Sequence, residues 1–495
     1  MTNKICILGG GTAGYCTAAV LSRYVKDNNL DTEVKCIYSS SIGNIGVGES
    51  TQLAINDIFQ FLRLRDSDWM SQANATYKSN IRFEGWSDET FFYPFGDMSG
   101  DDISNFFILS SLFPNEVPKN AFSRYVRDHS RYAELNRLSS EGWPFHEFTA
   151  YHFDTVGLSK VLYDTAESNG TVFIDDQFVK ANRNDKGIES IVCKESGKHE
   201  ADLFIDCTGF RSLLLGEVMH EPFVPYRTLI NHRVIAAKIP YTDKETQLTT
   251  YTNNVAMNNG WCWEIPLWDG LSVGYVHSLK YATTSNIYQE FIDRYGERDV
   301  KEISFRTGRR LRAWTGNVAS VGLSYGFIEP LEATGLASIV TNVFRLLEAL
   351  SRGMKFNSLD RQAYNTSCAD SLDNSKTFID MHYASSHKDD TEYWNHVTNE
   401  IEYDWNSFSN GRTIELLCKD RNFSNKELNG GLPFILAGSG YGQYSSAFTR
   451  SLADKEYYGP IKDEWLEKDR QLTEEVLQCR TPTQFLKDTI YGHDS

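Results

Sequence analysis

The chain is short of four things, and each absence closes off a class of protein. No apolar run among its 495 residues reaches the ~20 that a membrane-spanning helix requires. Met1-Thr2-Asn3-Lys4 passes straight into a strand-like run with no leader-type segment, so no membrane association and a cytoplasmic setting are expected. Positive charge is scarce: 49 Lys and Arg face 66 Asp and Glu, for a net charge of −17. So acidic a surface repels phosphate backbones, and nucleic acid is not an expected partner. The densest basic run, Arg306-Thr307-Gly308-Arg309-Arg310-Leu311-Arg312, is short and reads as structural or cofactor-facing. None of the nine cysteines forms a C-x-x-C pair, and their odd number and irregular spacing argue for reduced thiols rather than disulfides or a zinc site. No metal is therefore expected. Finally, there is no repeat, low-complexity tract or proline-rich linker, so whatever regions exist should pack closely.

What remains is a globular chain with 41% hydrophobic and 13% aromatic residues, enough for a large core or for aromatic-lined cavities. Its start is the clearest local signal. Lys4 to Leu8 reads as a strand, Gly9-Gly10-Gly11-Thr12-Ala13-Gly14 as a turn, Ala13 to Tyr24 as a helix and Val34 to Tyr38 as a second strand. G-x-G-x-x-G between a strand and a helix lets backbone approach a pyrophosphate at the positive end of the helix. The acid that usually ends the second strand is replaced by Tyr38-Ser39-Ser40-Ser41. Ile45-Gly46-Val47-Gly48-Glu49-Ser50-Thr51 is a second glycine-rich loop before a helix around Leu53 to Phe61. Ala201 to Gly209 reads as a buried strand ending at a turn, Val318 to Ser324 as another strand, and about Gly335 to Ser351 as a helix. Beyond roughly residue 355 strand signals thin out and helical spacing takes over, as in Ile414 to Cys418 and Asp463 to Leu477. The expected fold class is α/β. It comprises a dinucleotide-type domain with mixed sheets and site elements over 1–355, and a mainly helical substrate-site cap over 356–495.

Three further segments carry possible chemistry. Trp261-Cys262-Trp263-Glu264-Ile265-Pro266 places two indoles on one face of an extended segment, with Pro266 expected to end the pairing. A buried strand explains the pair equally well. Lys78, in Tyr77-Lys78-Ser79-Asn80, is by type a solvated surface residue. Glu329-Pro330-Leu331-Glu332-Ala333-Thr334-Gly335 precedes a helix, so Glu332 could merely favour the helix dipole and Thr334 merely cap it.

Taken in order behind the βαβ start, these segments resemble the flavin-dependent halogenases of the tryptophan halogenase family, from Gly9 to about Trp394. The resemblance implies a glutathione-reductase-type FAD domain. Gly9, Gly11, Thr12, Ala13 and Gly14 would hold FAD, with Val47, Gly48 and Glu49 as a strap over the flavin and Leu323 near it. It implies that FAD, delivered reduced by a separate NAD(P)H-dependent flavin reductase, and O₂ turn chloride, bromide or iodide into hypohalous acid. The amides of Thr334 and Gly335 would hold the halide, and Trp261, Trp263 and Pro266 would separate flavin from substrate. Lys78 would pass the oxidised halogen to an electron-rich aromatic, and Glu332 would stabilise the cationic ring and take its proton. An ammonium can hydrogen-bond hypohalous acid and a neutral amine can form a haloamine, and both need a tunable lysine. Ala333 departs from the serine common in the family.

The rival readings are a flavin monooxygenase, disfavoured because Gly322-Leu323 replaces that class's Gly-Asp, and a flavin-binding protein without activity. Free-tryptophan halogenases resemble one another in an aromatic pair before an Ala-Gly. Here Leu432-Pro433 stands in that run, and Ser439 to Tyr444 lacks lid character. Indoles or other small electron-rich aromatics are therefore expected over free tryptophan. Relatives are often dimers, and nothing in the sequence fixes an interface.

Overall fold

The computed structural model describes residues 2–43, 46–96, 100–139, 148–353, 356–386, 388–403 and 454–492. The helix read at Ile414 to Cys418 and the substrate run at 429–444 lie outside these residues. Two compact units are present. The first comprises Met1–Ala75, Phe153–Leu229 and Phe305–Asp373, and the second Thr76–His152, Ile230–Ser304 and Asn374–Ser495.

The first unit is built on a six-stranded sheet in the spatial order Trp314–Thr315, Val318–Ser320, Leu203–Asp206, Asn3–Leu8, Thr32–Tyr38, Val172–Asp175. All neighbours are parallel except the Trp314–Thr315 edge. Parallel strands buried on both faces demand continuous apolar runs, and Ile5 to Leu8 and Leu203 to Asp206 are fully buried. The helix Thr12–Asp27 follows the glycine turn. A three-stranded antiparallel meander, Phe178–Asn184, Gly187–Cys193 and Gly197–Glu200, adds Ile188, Ile191 and Cys193 to the core beneath Cys6, Leu8 and Phe204. One expectation fails here. The strand at Val318 stops at Ser320, because Gly322 at φ +70° leaves the extended conformation, and a 3₁₀ turn follows over Gly322–Ser324.

The second unit contains a seven-stranded sheet in the order Lys301–Ser304, Arg233–Ile239, Gly270–His277, Gly260–Leu267, Tyr251–Met257, Asn80–Glu84, Phe91–Pro94. Only Tyr251–Met257 against Asn80–Glu84 is parallel. One face is covered by the helix Thr284–Tyr295, whose Ile287 and Phe291 pack on Val255, Cys262, Val273 and Tyr275. The helix Lys455–Leu477 sets Trp465 against Phe106, Leu109, Phe122 and Val126, and Arg124 donates to Asp469 at 3.2 Å. Among the described residues no helix is long and apolar enough to cross a membrane, and all eight described cysteines are free thiols.

Candidate active site

At the carboxyl ends of the parallel sheet in the first unit, three glycines are fixed by sterics. A Cβ on Gly9 (φ +126°) would lie 2.2 Å from the Cys207 carbonyl oxygen, and one on Gly14 would lie 1.9 Å from the Gly9 oxygen. A Cβ on Gly10 would meet Tyr38 at 2.4 Å. Gly11 is the N-cap in an extended conformation with no side-chain cap, and no acid stands in the first turn after it. The amides of Thr12, Ala13 and Gly14 thus begin the helix with its positive end uncompensated. That is the donor set a diphosphate needs.

Although the second strand ends on Tyr38, a carboxylate does reach this end of the sheet. Asp175, level with Tyr38 on the adjacent strand, accepts the Ser40 amide at 2.9 Å, and hydrogen bonds from the Ser40 side chain and then from that amide hold its carboxyl below the usual range. Sequence reading missed it because strand adjacency is not written locally. Asp206, buried at the end of its strand, accepts from Thr208 N and Oγ1 and from the Leu214 and Leu215 amides at 2.6–3.0 Å, clamping the turn that follows.

In the same unit Gly48–Ser50 is a short strand. Val47 exchanges bonds with Thr155: its amide donates to Thr155 Oγ1 at 3.3 Å and its carbonyl accepts from it at 3.1 Å. Burial pushes the Glu49 carboxyl up to about 7. Leu323 lies in the 3₁₀ turn, whose Gly322 amide donates to Asn342 Oδ1 at 3.1 Å.

Pro330–Glu332 is another 3₁₀ turn, with Glu332 1% exposed and its carbonyl accepting from Gln52 Nε2 at 2.6 Å. Thr334 is not the cap of the long helix Thr334–Ser351. Ala333 is, at φ +54°, and that left-handed residue turns the chain so that Thr334 and Gly335 are the first two helical residues. A Cβ on Gly335 would meet nothing within 4 Å.

In the second unit, Trp261 and Trp263 are 0% and 7% exposed, with ring centroids 6.3 Å apart. They occupy one face of their strand because Cys262, between them, belongs to the opposite, helix-covered face. Gly274 lies directly across from Trp263, and a Cβ there would come within 2.0 Å of the indole. Pro266 does not end the strand. Pairing with Gly270–His277 continues to Leu267, whereas pairing with Tyr251–Met257 already stops at Glu264. The two-residue turn at 268–269 directs the Pro266 nitrogen to that vacated side, so its missing N–H removes no bond. Lys78 ends the short strand Thr76–Lys78, is fully buried, and holds its ammonium 5.0 Å from the Phe95 ring centroid. Thr76 Oγ1 on the same strand donates to the Pro266 carbonyl at 2.6 Å, tying the lysine strand to the tryptophan strand.

The basic run is structural: Arg309 holds Asp373 through two bonds of 2.7–2.8 Å, and Arg312 holds the buried Glu221 through two of 2.9 Å.

A glycine-cradled helix start on a parallel sheet is the frame of a dinucleotide-binding α/β domain, and the second unit carries a buried lysine and an indole wall. Residues 4–411 match the model of the family described as tryptophan halogenase. The 7-chloro-L-tryptophan 6-halogenase KtzR of Kutzneria sp. (strain 744) is 34% identical over 418 residues, 78% of this chain and 80% of the relative. Among solved structures, VirX1 in its apo form is 33% identical with TM-score 0.89, covering 99% of both chains. Tar14, a tryptophan C-6 flavin-dependent halogenase from taromycin biosynthesis, is 30% identical with TM-score 0.82, covering 98% of this chain and 99% of that one. The chain belongs to the tryptophan halogenase family. It is accordingly a flavin-dependent enzyme that halogenates an aromatic substrate, and the family implies FAD, a halide and usually a separate flavin reductase.

Proposed function

We propose that the amides of Gly11, Thr12, Ala13 and Gly14 hold the FAD diphosphate over the bare approach that Gly9 leaves. Val47, Gly48 and Glu49 cover the flavin, and Leu323 lines its other side. The uncapped, acid-free helix start supports this reading. When bound and reduced, FAD supplies, with O₂, the two-electron oxidation of halide to hypohalous acid. Thr334 and Gly335 stand at a helix start, where two amides offer an anion hydrogen bonds without a dedicated side chain. They hold the halide. Trp261, Trp263 and Pro266 form the partition that denies substrate direct access to the flavin.

The observation that carries the proposal is Lys78, fully buried on a strand bonded to the end of the tryptophan strand. Its N–H donates to the oxygen of hypohalous acid and polarises the halogen. As a neutral amine it forms a haloamine with release of water. Glu332, nearly fully buried, accepts the ring proton that electrophilic substitution releases.

The substrate is proposed to be an indole-type, electron-rich aromatic other than free tryptophan. This extends beyond the relative KtzR, whose substrate by name is 7-chloro-L-tryptophan. The buried free thiols support work in the reducing cytoplasm, and a homo-oligomer accords with the family. The test offers indole and free tryptophan side by side with chloride, bromide or iodide, FAD, NADH and a flavin reductase. Halogenated indole in excess over halogenated tryptophan is expected. Saturable chlorination of free tryptophan overturns the substrate reading, and hydroxylated product overturns the partition.

A further inference from the structure

His152 is fully buried and lies opposite Thr76 in the antiparallel pair that also sets Ala150 opposite Lys78. Lys78, Thr76 and His152 therefore share one face, with Lys78 and His152 as diagonal neighbours. The hydrogens around the imidazole can be counted. Thr76 Oγ1 has one proton, and it goes to the Pro266 carbonyl, which can only accept, at 2.6 Å. The 3.2 Å bond between Thr76 Oγ1 and His152 Nδ1 therefore carries a hydrogen from the ring. Burial, and secondarily the Lys78 charge, holds the ring neutral well below the usual histidine range. A neutral ring protonated at Nδ1 has a bare Nε2, so the 2.9 Å bond at Nε2 is donated by Thr252 Oγ1.

We infer that His152 is a positioning residue for Lys78, acting as an Nδ1-protonated imidazole that fixes the lysine strand through Thr76 to the end of the tryptophan strand and through Thr252 to the neighbouring sheet strand. The inference rests on the role proposed for Lys78. The chain of bonds runs Thr252 O–H to His152 Nε2, His152 Nδ1–H to Thr76 Oγ1, and Thr76 O–H to Pro266 O. Thr252 belongs to the strand that pairs with the tryptophan strand on one side and with Asn80–Glu84 on the other. One imidazole thus registers the lysine against the indole wall. It also keeps a second cation away from Lys78 and covers the ring nitrogen that would otherwise compete with the lysine for hypohalous acid.

The test uses the full chain with FAD and a flavin reductase. In ¹⁵N-histidine-labelled enzyme, the resonance lost in His152→Gln should show a pyrrole-type Nδ1 and a pyridine-type Nε2. Thr252→Val, which removes the donor with little change of volume, should lower halogenation kcat about 10- to 100-fold. Substrate KM should stay within about twofold, FAD affinity should be unchanged, and Thr252→Ser should restore the rate. An Nε2-protonated or cationic ring, or a Thr252→Val enzyme with wild-type kcat, overturns the inference. Halogenation that survives Lys78→Ala overturns the Lys78 reading instead, and the ¹⁵N result tells the two failures apart.

Discussion

Gly274→Ala probes the indole wall with a single methyl group. The new Cβ would fall 2.0, 2.2 and 2.4 Å from three ring carbons of Trp263, where ~3.5 Å is ordinary contact. The indole must retreat by about 1.5 Å, because the backbone cannot: Gly274 sits in a strand paired on both sides, to Ala236 and to Trp263. Overpacking of this kind costs about 1–3 kcal/mol. All three clashing atoms belong to the six-membered ring of the indole, which the shorter Phe side chain does not extend as far. Trp263→Phe should therefore be mildly destabilising alone and should relieve Gly274→Ala, with a coupling of about 1–2 kcal/mol in a double-mutant cycle. Thermal unfolding of the four proteins reads the stability. Flavin-dependent turnover reads the wall, since a displaced Trp263 should lower halogenated product per NADH consumed. A Gly274→Ala enzyme that melts and couples like wild type, or one that Trp263→Phe fails to relieve, would refute the steric argument.

Other outcomes follow from single residues. Glu332→Gln should cut kcat ~100-fold or more with unchanged FAD affinity, as expected when a proton acceptor is lost; steady-state kinetics and flavin titration check both. Gly335→Ala places a methyl in open space inside a helix, so stability should hold or rise by about 0.5–1 kcal/mol, while KM for halide rises. Glu49 holds its proton up to about 7 when folded against 4.5 for the ordinary group. The stability this gives is fully present below 4.5 and is lost as pH rises from there to about 7. The flavin-free Glu49→Gln enzyme should lack that decline in a series of melting curves across the same pH window.

Legibility tracked how local each signal was. The opening βαβ was readable because strand, glycine turn and helix lie within forty residues, and the strands extend only one or two residues beyond expectation. The two indoles share a face because period-two alternation is local. Gly274 and Asp175 were invisible for the opposite reason: their meaning depends on which distant strand lies beside them. Pro266 was misjudged because its cost depends on which side its nitrogen faces, a matter of register. Thr334 was displaced from the cap position by Ala333 taking φ +54°, a conformation that alanine does not advertise. For Lys78, side-chain type alone pointed to solvent, whereas the strand carries it to full burial.

The central claim is that buried Lys78 carries oxidised halogen to the substrate. The most direct measurement is a single-turnover halogenation with reduced FAD, bromide and indole, run for wild type and Lys78→Ala with both the halogenated product and the oxidised flavin quantified. The account predicts that Lys78→Ala oxidises flavin at a comparable rate and forms no halogenated indole. Halogenated indole at the wild-type level from Lys78→Ala would contradict it.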